Sequence, residues 1–196
     1  MNQNFNNLYM KRIALFLLFI MLACPVFAQV NLFPMPAKFS KGRGVFNVNE
    51  KTVFEGVGEY ADKLASGLIN EVKALNISEG DISDNHIRLA LKKSPDMKKD
   101  GYTLVVSSEE VYLESSTESG LFYAKEALLQ LVRFYKGKVP VLRIEDSPRF
   151  EWRGFMLDES RHFFGKEKVK QYLDIMASLK MNVFHWHLTD EPGLAY

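Results

Sequence analysis

The chain has 196 residues, 47% apolar and 25% charged, a globular balance that excludes a disordered tail, a collagen-like repeat and a multi-span membrane protein. A formal charge of +1 with no basic run offers little to nucleic-acid phosphates. Aromatic residues reach 13%, which supplies a core and area for stacking on a sugar or a base.

At the amino terminus, Lys11 and Arg12 precede the apolar run Ile13-Ala-Leu-Phe-Leu-Leu-Phe-Ile-Met-Leu22, and Val26-Phe-Ala28 puts small residues at the −3 and −1 positions. This order predicts a secretory signal over residues 1–28, cleavage before Gln29 and an exported product, periplasmic or extracellular. A membrane anchor is the competing reading. The 16 residues from Ile13 to Ala28, broken by Pro25, fall short of the roughly 20 that span a bilayer, so no stable span is expected. The lone Cys24 lies in a weak lipoprotein-like box, Met21-Leu-Ala-Cys24, whose Leu22 is atypical; lipid anchoring there is the secondary expectation. Cleavage after Ala28 leaves about 168 residues without cysteine, which excludes disulfides, thiolate nucleophiles and cysteine-ligated zinc.

Residues 29–148 read as a small α+β domain. Leu32-Phe-Pro-Met-Pro36 is an extended, proline-stiffened entry. Val45-Phe-Asn-Val48 and Thr52-Val-Phe54 alternate as short strands around Asn49 and Glu50. Leu64, Leu68, Val72 and Leu75 mark one face of a helix from Tyr60 to Leu75. His86–Leu91, Tyr102–Val106 and Val111–Leu113 read as strands. The four lysines between the first two, Lys92, Lys93, Lys98 and Lys99, read as a solvated loop. A second helix opens at Thr117 and runs to about Tyr135, with Leu121, Ala124, Leu128 and Leu131 facing a core. Val139–Pro148 is an extended crossing. A sheet with helices on one side fits this half, and nothing in it looks catalytic.

After Pro148 the texture changes. Gly154-Phe-Met-Leu157 is a short apolar strand ending at Asp158, a helix follows from about Lys166 to Lys180, and Met181–Leu188 is another strand. Strand, helix, strand with apolar residues on both faces indicates a parallel βαβ unit, the beginning of a larger α/β domain. His162, His185, His187, Trp152 and Trp186 all fall here. Asp158 and Arg161 follow the first strand; Asp190 and Glu191 follow the second. Such strand ends are where α/β enzymes put their sites.

The residues by themselves leave alternatives open. His185 and His187 share one strand face, with Trp186 on the other. They would serve a metal only with a third ligand, and buried, hydrogen-bonded histidines are the preferred reading. Arg161 is either a surface guanidinium or a fork presented to hydroxyls or carboxylates beside Asp158.

Arg153-Gly-Phe-Met-Leu-Asp-Glu-Ser-Arg-His-Phe-Phe164 and Met181-Asn-Val-Phe-His-Trp-His-Leu-Thr-Asp190 resemble the first two catalytic barrel strands of glycoside hydrolase family 20, the β-N-acetylhexosaminidases. The segment before Pro148 is similar to the small domain that precedes that barrel. The resemblance implies removal of terminal β-linked N-acetylglucosamine or N-acetylgalactosamine from glycans, without cofactor or metal. The mechanism it implies is substrate-assisted: the sugar's acetamido oxygen attacks the anomeric carbon, an Asp orients that acetamido group, and the adjacent Glu is acid and then base. By the same resemblance Arg161 binds sugar hydroxyls in the −1 subsite, and Asp190 supports the acid/base through a histidine.

The family's catalytic Asp-Glu pair lies on a later strand, so no catalytic residue is assigned here. Asp190-Glu191 is not that pair, because Trp186-His-Leu-Thr189 marks the second strand. A barrel takes about 250 residues, whereas 44 run from Arg153 to Tyr196. Residues 149–196 are therefore expected to be the start of a barrel that cannot close in this chain, truncated at an unusual Leu194-Ala-Tyr196 ending and inactive alone. Two rival expectations come from other classes: a non-catalytic carbohydrate-binding or interaction module, and a metal-dependent hydrolase using His185 and His187.

Overall fold

The computed structural model describes residues 30–77 and 85–190, and the backbone of 193–194. The expected signal over 1–28, its cleavage site and Glu191 lie outside the described residues.

Six strands form one mixed sheet: β1 (Lys38–Asn47), β2 (Val53–Val57), β3 (His86–Leu91), β4 (Tyr102–Val106), β5 (Glu110–Ser115) and β6 (Lys138–Asp146), in the spatial order β1-β6-β4-β5-β3-β2. Pairing is parallel between β2, β3 and β5, and antiparallel between β5, β4, β6 and β1. Helices α1 (Glu59–Lys73) and α2 (Glu118–Phe134) cover one face. Alternation makes this arrangement: Ile87 and Leu89, Leu104 and Val106, and Val111 and Leu113 are buried against the helices, while Arg88, Thr103, Val105, Tyr112 and Glu114 between and beside them stay half-exposed. The open face is polar, and Arg88 joins Glu55 and Glu110 of the flanking strands at 3.1 Å each.

Two placements in this domain come from the folded sheet and not from the strand pattern. The first two strands flank the Asn49–Glu50 turn in sequence but occupy opposite edges of the sheet. The segment expected as an extended crossing is itself a strand, β6, lying between β1 and β4. Its Pro140 has no N–H for a ladder, and the β1 register shifts between Lys41 and Val45 beside it. At the other edge, β2 and α1 touch through glycine: a Cβ on Gly56 would lie 2.0 Å from the amide nitrogen of Asp62.

Helix α2 begins where Thr117 caps it, its hydroxyl oxygen accepting from the amide of Gly120 at 3.1 Å. It is buried almost all round, because the sheet lies on one side and α1 on another. The ion pair this demands is Lys125 with Glu71 of α1 at 2.9 Å and Glu126 at 2.5 Å. Burial pulls the Lys125 ammonium down, but the two carboxylates outweigh it and leave its pKa above the ordinary value.

Beyond this domain β7 (Gly154–Asp158), α3 (Lys166–Ser178) and β8 (Val183–His187) form the expected parallel βαβ unit. Its two-stranded sheet does not close on itself. A short ribbon follows, β9 (Thr189–Asp190) with β10 (Gly193–Leu194). Helix α3 ends in a Schellman motif: the amide of Met181 reaches the carbonyl of Met176, that of Lys180 reaches Ala177, and Lys180 takes φ +56°.

The unit is fastened to the first domain by side chains. Lys180 is buried, its Nζ 2.7 Å from the Tyr102 hydroxyl and 2.8 Å from Asp146. Arg153 donates to the carbonyls of Lys180 and Phe150 and to the Tyr123 hydroxyl. Gln130 of α2 donates to the Ser178 carbonyl at 2.8 Å. No helix among the described residues is long and apolar enough to cross a membrane.

Candidate active site

Parallel pairing aligns Asp158 with His187, Leu157 with Trp186 and Met156 with His185. Residues paired in a parallel ladder share a face, so Asp158, Met156, His185 and His187 stand on one side, and Phe155, Leu157, Phe184 and Trp186 on the other. The second set faces α3, where Phe155 lies 5.4 Å from Tyr172, and along β8 Trp186 lies 5.9 Å from Phe184, ring to ring. The first set is the candidate site.

Asp158 is its hub. One carboxylate oxygen accepts from the amides of Ser160 and Arg161, at 3.0 and 3.2 Å, and turns the chain back over the strand end. The other oxygen meets the Arg161 guanidinium at 3.2 Å. The same guanidinium reaches Asp190 at 3.0 Å, although 29 residues separate the two in sequence. His187 stands 3.7 Å from Asp158 through Nδ1, and its Nε2 lies 2.7 Å from the Thr189 carbonyl.

The chemistry follows from the charges. One guanidinium between two carboxylates keeps the directional donors of arginine without net positive charge. An uncharged, hydroxyl-rich ligand fits that better than a phosphate or a carboxylate. With 74% of its side chain exposed, Arg161 has room to meet one.

The structure thus brings Arg161, Asp158, His187 and Asp190 together. It does not bring the other singled-out residues to them. Trp186 faces α3, Trp152 lies exposed ahead of β7, and His162 packs its ring edge-on to Phe164 at 4.8 Å. His185 and His187 were expected to be buried; His185 is exposed and His187 half-buried, because among the described residues no further strand covers their face. Their ring centres are 6.4 Å apart, and among the described residues no three His, Cys, Asp or Glu side chains gather as a ligand set.

Sequence reasoning passed over Glu159. It is 1% exposed, with Trp186 donating to one oxygen at 2.5 Å and the amides of Phe164 and Gly165 donating to the other. The signal was present in the alternation, which puts Glu159 on the same side as buried Leu157. A charged residue there must find donors.

Comparison with known proteins covers the whole of this architecture. Residues 29–147 match the family model "Glycosyl hydrolase family 20, domain 2", and residues 150–195 match "Glycosyl hydrolase family 20, catalytic domain". A β-hexosaminidase of Porphyromonas gingivalis is 33% identical over 179 residues, 84% of this chain and 23% of that protein. A β-hexosaminidase of Vibrio furnissii is 35% identical over 169 residues, 85% of this chain and 27% of that protein. The chain therefore spans about a quarter of the length of these relatives. Among solved structures, the exo-β-N-acetylglucosaminidase of Vibrio harveyi in complex with N-acetylglucosamine aligns with a TM-score of 0.69 and 32% identity, over 82% of this chain and 26% of that one. The β-N-acetylhexosaminidase of Bacteroides fragilis aligns with 0.68 and 28%, over 81% and 33%.

Proposed function

The chain belongs to glycosyl hydrolase family 20, and from that membership we propose that it contributes the small domain and the first barrel strands of an exported β-N-acetylhexosaminidase. Its substrate is a glycan ending in β-linked N-acetylglucosamine or N-acetylgalactosamine. Hydrolysis proceeds with retention, the substrate's acetamido oxygen acting as nucleophile.

The observation that carries this reading is the Arg161 guanidinium held between Asp158 and Asp190 at the carboxyl ends of two neighbouring parallel strands. In a −1 subsite the exposed fork of Arg161 donates to sugar hydroxyls, and its two carboxylate partners balance its charge. Asp190 supports the acid/base through a histidine. The proton donor itself is a Glu on a later strand, next to the Asp that orients the acetamido group. Export rests on the charged start and apolar run of residues 11–22.

The 196-residue polypeptide is expected to bind N-acetylglucosamine weakly through Arg161 and to release no nitrophenol from 4-nitrophenyl N-acetyl-β-glucosaminide. Ligand-observed NMR, with Arg161→Ala as control, reads the first; absorbance reads the second. Turnover by this polypeptide would overturn the assignment of the catalytic pair, and binding that survives Arg161→Ala would overturn the subsite.

A further inference from the structure

We propose that Glu159 is the positioning residue for Arg161, a buried clamp that holds the loop carrying the guanidinium. Its purpose rests on the sugar-subsite reading above; its geometry does not. Arg161 is largely exposed, and the two carboxylates it meets are only partly shielded, with 22% and 42% of their side chains exposed. Ion pairs of that kind hold a side chain poorly. What places Arg161 is therefore the backbone of the loop from Ser160 to Gly165.

That loop is pinned at both ends by adjacent residues pointing to opposite faces of the sheet. On the site face, Asp158 accepts from the amides of Ser160 and Arg161. On the helix face, Glu159 accepts from the amides of Phe164 and Gly165, at 3.1 and 3.0 Å, immediately before α3 begins. Its other oxygen accepts from the Trp186 indole of β8 at 2.5 Å, and its own amide donates to the His187 carbonyl at 2.9 Å. Strand β7, strand β8 and the start of α3 thus meet on one side chain. A carboxylate removed from water is tolerated only where donors replace its hydration, and three N–H groups do so here. Glutamine cannot substitute. It offers one acceptor oxygen, and its NH2 would face either the indole or the two amides donor to donor.

The test uses limited trypsinolysis of the 196-residue chain. Cleavage at Arg161–His162 is measured against cleavage after Lys99 in the first domain and after Lys168 in α3. Glu159→Gln is expected to raise the Arg161 rate, relative to both, by about tenfold or more. Trp186→Phe, which removes one donor and keeps the carboxylate, gives a smaller rise at the same bond. In the unmodified chain the Trp186 indole N–H proton is expected to resonate downfield, and Glu159→Gln should move it upfield. An unchanged Arg161 rate in both variants overturns the proposal, as does a parallel rise at Lys168, which would make Glu159 a general support of α3.

Adding N-acetylglucosamine separates the two readings. If Glu159→Gln frees the loop but the sugar never protects Arg161, the clamp stands and the subsite falls. If the sugar protects Arg161 equally in both proteins and Glu159→Gln leaves cleavage unchanged, the subsite stands and the clamp falls.

Discussion

Lys180 sits where backbone and side chain pull in opposite directions, and substituting it separates the two. It is the C′ residue of α3, at φ +56°, a conformation that costs a non-glycine residue roughly 1 kcal/mol. By backbone alone, glycine is the better choice. The side chain argues otherwise: Nζ is buried between Tyr102 and Asp146, and Asp146 is only 13% exposed. Burial holds the Lys180 ammonium below its ordinary pKa, and Asp146 offsets this only in part; a buried pair of this kind adds little over an apolar replacement of both partners. Breaking it from one side is another matter, because Asp146 would remain buried as an uncompensated charge, at a cost of about 3–5 kcal/mol.

Asp146 keeps the Tyr102 hydroxyl and the amides of Ala37 and Ser147, all within 3.1 Å, which puts the loss near about 3 kcal/mol. Lys180→Met should show that loss whole. Lys180→Gly should recover about 1 kcal/mol from the relaxed backbone and end about 2 kcal/mol below the parent. Adding Asp146→Asn to Lys180→Met should restore much of the difference, since no charge is then stranded. Trp186 lies in the βαβ unit and Trp152 in the segment leading into it, so urea unfolding followed by tryptophan emission reads its attachment, and far-UV circular dichroism reads the whole chain. A Lys180→Gly variant as stable as the parent would refute the reasoning, because backbone relief would then outweigh the buried pair.

Other outcomes follow from the same physics. Lys125→Met strands Glu126, itself buried, and should cost about 3–5 kcal/mol in thermal or urea unfolding; a loss under about 1 kcal/mol would deny the ion pair its role. Lys125 and Tyr102 both have raised pKa values, Tyr102 through burial first and Asp146 second. The folded chain therefore keeps protons that the unfolded chain releases, so their stabilising contributions are complete below about pH 10 and fade above it; Lys125→Met should flatten part of that alkaline slope. Gly56→Ala drives a methyl into the start of α1 and should destabilise the first domain by about 3 kcal/mol. Arg161→Ala, by contrast, removes an exposed side chain and should shift the unfolding midpoint by less than about 1 kcal/mol equivalent. A larger effect would make the cluster structural.

Local periodicity carries most of what could be read from the residues alone. The 3.6-residue pattern placed both long helices of the first domain and α3, because a helix buries its own stripe whatever it meets. Alternation placed β3, β4 and β5, and the second motif located β8. Partners are another matter, since backbone groups of every strand are alike and pairing is decided by the packing of distant surfaces. That is why two strands joined by a short turn part to opposite edges, and why Val139–Pro148, broken by proline at both ends, turned out to be an interior strand. The same division runs through the site. Residue types at strand ends pointed to Arg161, Asp158 and Asp190. Only the parallel register of β7 with β8 brought a guanidinium and a carboxylate 29 residues apart to 3.0 Å, and only the folded alternation revealed that Glu159, next to Asp158 in sequence, faces the other way into the helix layer.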